Sequence, residues 1–78
     1  MVRLKQKNII GQRIKYLRIN KKITQEQLTA RLNIQGIEID RPMISRIESQ
    51  TRNLLDYEIK AIANALNVSI EDLFKKNI

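Results

Sequence analysis

The sequence contains no cysteine and no histidine, one proline, two glycines and three aromatic residues among its 78 positions. Without cysteine no disulfide can staple the fold, and without histidine as well the usual zinc ligand sets are missing. No metal or other cofactor is expected. The lack of cysteine fits a cytoplasmic protein. Scarce proline and glycine leave little punctuation for hairpins. No apolar run is long enough for a membrane helix. The opening MVRLKQKNII is basic, but it lacks the apolar run and cleavage site of a signal peptide. Catalytic equipment is absent too: there is no glycine-rich phosphate loop, and Ser45 and Ser49 have no evident general base, so an enzyme is not expected. What remains is 42% hydrophobic, enough for one modest core in one small domain.

Charge is the first positive signal. The net charge is +7, and it is uneven: eight basic residues and no acidic one lie between Met1 and Lys22. The remaining residues, seven basic and eight acidic, nearly cancel. Such a balance points to an anionic partner, nucleic acid or a membrane surface, although a solubility charge would account for it equally well.

The apolar spacing is helical. Ile10, Ile14 and Leu17 fall at i, i+4 and i+7, and Ile59, Ile62, Ala63 and Leu66 at i, i+3, i+4 and i+7. Leu28 with Leu32, and Ile44 with Ile47, are shorter versions. Helix starts are marked more sharply. Thr24 with Gln27 forms a capping box, with Ile23 and Leu28 as a hydrophobic staple. Asp40 repeats the unit between Ile39 and Ile44, and Ser69 with Asp72 repeats it between Val68 and Leu73. These signals predict five helices, at 9–20, 25–35, 41–49, 56–66 and 70–75. Gly36 and Asn67 suit left-handed positions just past the second and fourth. Ile37–Ile39 reads as an extended connector with no partner strand. Residues 1–8 form a basic arm, and 9–78 the folded domain.

The third helix has an unusual outer side. Asp40 caps it, and Pro42 sits in its first turn, where a missing N–H costs nothing and a fixed φ helps. Ile44 and Ile47 face inward, which leaves Arg41, Pro42, Ser45, Arg46 and Ser49 on roughly one outer face. That face carries two guanidinium forks, two hydroxyls and no acid. A helix about 10–12 Å across fits a DNA major groove about 12 Å wide. An ordinary solvated face remains the alternative for one helix taken alone.

The surrounding motifs carry more. Ile10-Gly11-Gln12-Arg13-Ile14, then Leu17-Arg18, Thr24-Gln25-Glu26-Gln27-Leu28, ISRIE at Ile44–Glu48, and AIANALNVSIEDLF at Ala61–Phe74 together resemble the phage-repressor, Cro-like (XRE-type) helix-turn-helix family over nearly the whole chain. The resemblance implies an all-α, compact five-helix, lambda-repressor-like domain whose helix-turn-helix is formed by helices 2 and 3. It implies a sequence-specific DNA-binding transcriptional regulator, read as a repressor, binding paired half-sites on double-stranded DNA as a homodimer. By the same resemblance Arg41, Pro42, Ser45 and Arg46 would face the bases. Gln25, Ser49, Arg52 and Asn53 would contact phosphates, with Gln25 also supporting the recognition helix. Arg18 and Glu48 would form an ion pair tying the first helix to the third; read from its own neighbours, Arg18 could equally be a surface charge.

The chain departs from the family pattern in three places. The connection from Asn33 to Asp40 is several residues longer than usual. Thr29 stands where alanine is preferred, implying a looser helix contact. Gln50 stands where glycine usually follows the recognition helix, implying a strained left-handed residue. An antitoxin-type protein-interaction module, with another protein as main partner, is the competing function, although no long acidic or apolar tail supports it. Two further expectations concern surfaces. The arm Met1–Lys7, with Arg3, Lys5 and Lys7, should be unheld in the free protein and touch DNA when bound. Leu55, Tyr57, Phe74 and Ile78 exceed what the periodic stripes use and should form the dimer surface.

Overall fold

The computed structural model describes residues 5–76. They form five helices: α1 Gly11–Asn20, α2 Gln25–Ile34, α3 Arg41–Glu48, α4 Asp56–Leu66 and α5 Ile70–Leu73. Type and order follow the sequence pattern, with the ends displaced by at most two residues. The caps are those the sequence marks. Thr24 accepts from the Gln27 N–H while the Gln27 side chain accepts from the Thr24 N–H. Asp40 accepts from the Met43 N–H, with Pro42 in the first turn of α3. Ser69 and Asp72 close a third box. The bond from Lys75 and the backbone at Ser69 hold the Asp72 carboxyl below its ordinary pKa.

One core joins all five helices. Ile14 of α1, Leu28 and Leu32 of α2, Ile44 and Ile47 of α3, Ile62 and Leu66 of α4, and Leu73 of α5 are fully buried. Each such side chain contributes about 1.5–3 kcal/mol by leaving water. The staple partners Ile23 and Ile39 are buried beside them, so the chain enters α2 and α3 at angles fixed by packing.

The long connection between α2 and α3 is ordered by its own side chains. Gly36 turns at φ +88, and the Asn33 amide donates to the carbonyls of Ile37 and Ile39 at 2.9 and 3.1 Å. Ile39 is buried and Glu38 exposed, as the alternation predicts. Asn67 takes the left-handed conformation after α4. Lys22, at φ 58, does the same after α1, where nothing in the sequence marks it. Thr29 is half-buried, and its hydroxyl donates to the Gln25 carbonyl at 2.8 Å, within its own helix.

The arm departs from expectation. Its first four residues, Arg3 among them, lie outside the described residues, as does Ile78. Its last residues are tied down: the Lys7 N–H donates to the Gln50 carbonyl at 2.9 Å, and the Gln6 amide donates to the Gln50 side chain at 3.3 Å. Asn8 is buried. The reason is a set of polar partners 39 to 44 residues away, which apolar periodicity does not register.

Candidate nucleic-acid interface

The outer face of α3 follows from its sequence. Ile44 and Ile47 turn one side into the core, and helical geometry leaves Arg41, Pro42, Ser45, Arg46 and Ser49 exposed. Among the described residues nothing bonds the Arg46 guanidinium. The Ser49 hydroxyl is engaged locally, 3.0 Å from the Thr51 hydroxyl and donating to the Arg46 carbonyl at 3.2 Å.

The start of α3 is linked to the core by a polar chain. Arg41 Nε donates to Gln25 Oε1 at 3.3 Å, and Gln25 Nε2 donates to Glu48 Oε1 at 3.0 Å. Glu48 receives Arg18 through two bonds, Nε to Oε2 at 2.6 Å and Nη2 to Oε1 at 3.0 Å. Arg18 Nη1 also donates to the Ile23 carbonyl. Arg18 and Glu48 are both buried. The one acidic residue of α3 is therefore neutralised from behind, and the outer face stays cationic. Gln25, Arg41, Pro42 and Ser45 line a cleft of about 260 Å³ beside the helix start.

Arg52 lies beyond the helix end and is half-buried. Its Nη2 lies 3.3 Å from Glu58 Oε2, and its Nη1 donates to Glu58 Oε1 and to the Asn53 carbonyl. Asn53 is exposed. Glu58 is buried and also accepts the Leu55 N–H at the start of α4. Lys7, Thr51, Arg52, Asn53, Leu55 and Glu58 line a second cleft of about 360 Å³.

Sequence reasoning missed Asn8 and Glu58. Asn8 stands just before the first apolar-periodic stretch, a helix-start signal that was available. Glu58 lies three residues after Leu55, which has no capping side chain, so the box pattern gave no alert. Leu55, Tyr57 and Phe74 are all about half exposed, and Ile34, at 85%, is the most exposed of the large hydrophobic residues described.

Known proteins share this fold. The helix-turn-helix family model matches residues 14–73. The restriction-modification controller protein C.AhdI from Aeromonas hydrophila is 31% identical, with a TM-score of 0.74, over 83% of this chain and 91% of that one. The wild-type controller protein C.Esp1396I is 35% identical, with a TM-score of 0.70, over 83% and 78% of the two chains. The C.Esp1396I tetramer in complex with its natural 35 base-pair operator also matches, at 32% identity and a TM-score of 0.66, over 85% and 91%. A hypothetical transcription factor from Neisseria, 20% identical with a TM-score of 0.75, shares the fold. No curated protein matches. Among the described residues no helix is long and apolar enough to cross a membrane.

Proposed function

The chain belongs to the XRE-type helix-turn-helix family of DNA-binding transcription regulators, and on that premise we propose that it represses transcription from the cytoplasm by holding paired half-sites as a homodimer. The observation that carries this reading is the α3 face: Arg41, Pro42, Ser45 and Arg46 are exposed together, with no acid among them. Arg46 reads a guanine through paired bonds to O6 and N7, the commonest specific contact in the major groove. Ser45 is a secondary base contact, Pro42 offers apolar contact to a thymine methyl, and Arg41 reaches a base edge or a phosphate. Gln25, Ser49, Arg52 and Asn53 hold phosphates on either side, which fixes register without reading sequence.

One α3 contacts too few bases for useful selectivity, so two copies address half-sites about 34–36 Å apart. The exposed Leu55, Tyr57 and Phe74 supply the apolar surface for that pairing. The likeness to C.AhdI and to C.Esp1396I, the latter solved as a tetramer with its natural operator, supports an operator-binding controller of this kind.

Selecting bound sites from a random duplex pool tests the reading. A two-fold-related site should emerge. If a dimer neutralises on the order of six phosphates, log affinity should fall with log salt at a slope near −5. Equal affinity for every sequence, or a slope near zero, would remove the proposal.

A further inference from the structure

The four hydrogen-bonding positions of the Asn8 side chain are all occupied. Its Oδ1 accepts the N–H groups of Ile10 and Gly11 at 3.1 and 2.7 Å. Its Nδ2 donates to the carbonyls of Ile47 and Arg52 at 3.1 and 2.9 Å. An amide has two acceptor and two donor positions, so nothing is left over. One buried side chain thus caps the start of α1 and clasps the end of α3. Gln50 closes the clasp from the other side. It stands at φ 67, its amide donates to the Asn8 carbonyl at 3.1 Å, and its own carbonyl receives the Lys7 N–H.

The clasp leaves Lys7 beside the exit of α3. Its backbone is fixed and its side chain is exposed, on the cleft it shares with Thr51, Arg52 and Asn53. The charges there do not favour Arg52 as the sole anion-binding group, because Glu58 lies 3.3 Å from its guanidinium. Among the described residues Lys7 makes no ion pair, so it is the uncompensated cation of the cleft. The Lys7 ammonium, the Thr51 hydroxyl and the Asn53 amide line that cleft together with Leu55 and the Arg52–Glu58 pair, whose charges cancel, so the net charge offered to a phosphate diester is that of Lys7.

We propose that Lys7 is a phosphate-contacting residue, and that Asn8 is the positioning residue that sets Lys7, Arg52 and Asn53 as one unit at the end of α3. The proposal rests on the duplex-DNA reading above. It differs from a loose basic tail, because a tethered lysine contributes a defined contact and a tail contributes a diffuse charge.

Salt-dependent duplex binding by the full chain tests it, comparing the wild type with Lys7→Gln, Lys60→Gln and Asn8→Ser. Lys60, exposed on α4, lines neither cleft and controls for lost charge. Lys7→Gln should reduce the slope of log affinity against log salt by about one per protomer, with the melting temperature unchanged. Lys60→Gln should leave the slope as it was. Serine still caps α1 but is too short to reach Ile47 and Arg52. Asn8→Ser should therefore lower the slope as Lys7→Gln does, and combining the two should lower it little further. A Lys7→Gln slope equal to that of the wild type overturns the proposal, as does full additivity of the pair. If Asn8→Ser does not fold, the comparison of Lys7→Gln with Lys60→Gln decides alone. A wild type without salt-dependent duplex binding overturns the DNA reading itself, which separates the two failures.

Discussion

Arg18 and Glu48 form a two-point ion pair, 2.6 Å and 3.0 Å, that fastens α1 to the last residue of α3. A carboxylate at a helix C-terminus opposes the helix dipole, and a buried one is costly without a partner. Arg18 answers both terms, and Gln25 takes the remaining contact at 3.0 Å. Glu48→Gln should cost about 3–5 kcal/mol in urea unfolding, because a buried guanidinium loses its counter-charge. Replacing both residues by apolar ones of similar size should cost less than the two single changes summed. A Glu48→Gln cost below about 1 kcal/mol would mean that the pair behaves as an exposed one.

Gly11 and Gly36 should differ sharply in what alanine does to them. A Cβ on Gly11 would stand 2.0 Å from the Ile47 carbonyl oxygen, so α1 and α3 would have to separate. Gly36 has nothing within 4 Å of the same atom, and only its φ of +88 is at stake. Gly11→Ala should destabilise by about 3 kcal/mol and Gly36→Ala by about 1 kcal/mol. Equal melting temperatures for the two variants would contradict the close approach.

At Gln50 two effects oppose each other. A left-handed L residue costs roughly 1 kcal/mol, which glycine would recover. The side chain, however, bonds Gln6 and Asn8, and glycine would lose those bonds. Relief alone predicts a stabilised Gln50→Gly; with the lost bonds included, the change should lie close to zero. Gln50→Ala loses the bonds and keeps the strain, so it should be less stable than Gln50→Gly by about 1 kcal/mol. Calorimetry showing alanine equal to glycine would remove the strain from the account.

Sedimentation velocity tests the dimer surface. The wild type should sediment as a dimer, and Leu55→Ser with Tyr57→Ser should shift it to monomer. An unchanged dimer would place the interface elsewhere.

Local features were legible in the sequence, and distant polar ones were not. Thr24, Asp40 and Ser69 announce their helices because a cap and its partner lie three residues apart. Gly36 and Asn67 announce their turns by residue type, since each tolerates a positive φ just past a helix end. The outer face of α3 follows from helix period once Ile44 and Ile47 are assigned to the core. Asn8 gives no such sign of its tie to α3, since its partners Ile47 and Arg52 lie 39 and 44 residues away. Arg52 and Glu58 read singly as two charges in a loop and a helix. Only the fold brings them to 3.3 Å and shows that the guanidinium is already shared. Lys22 has neither a residue type nor a neighbour that forecasts its positive φ.

Paired titrations of Arg46→Ala on its preferred site and on random duplex test whether Arg46 reads sequence from the face of α3. Nothing described in the protein engages its guanidinium, so the substitution removes a contact with DNA and leaves the internal bonds in place. Loss of a bidentate base contact should cost about 1–3 kcal/mol per half-site on the preferred sequence. On random duplex the loss should be much smaller, since only one general charge is gone. Arg52→Ala, which also unpairs the buried Glu58, should instead weaken both duplexes alike and lower the salt slope. If Arg46→Ala reduces specific and random binding by the same factor, Arg46 is a phosphate contact and the reading of the α3 face is wrong.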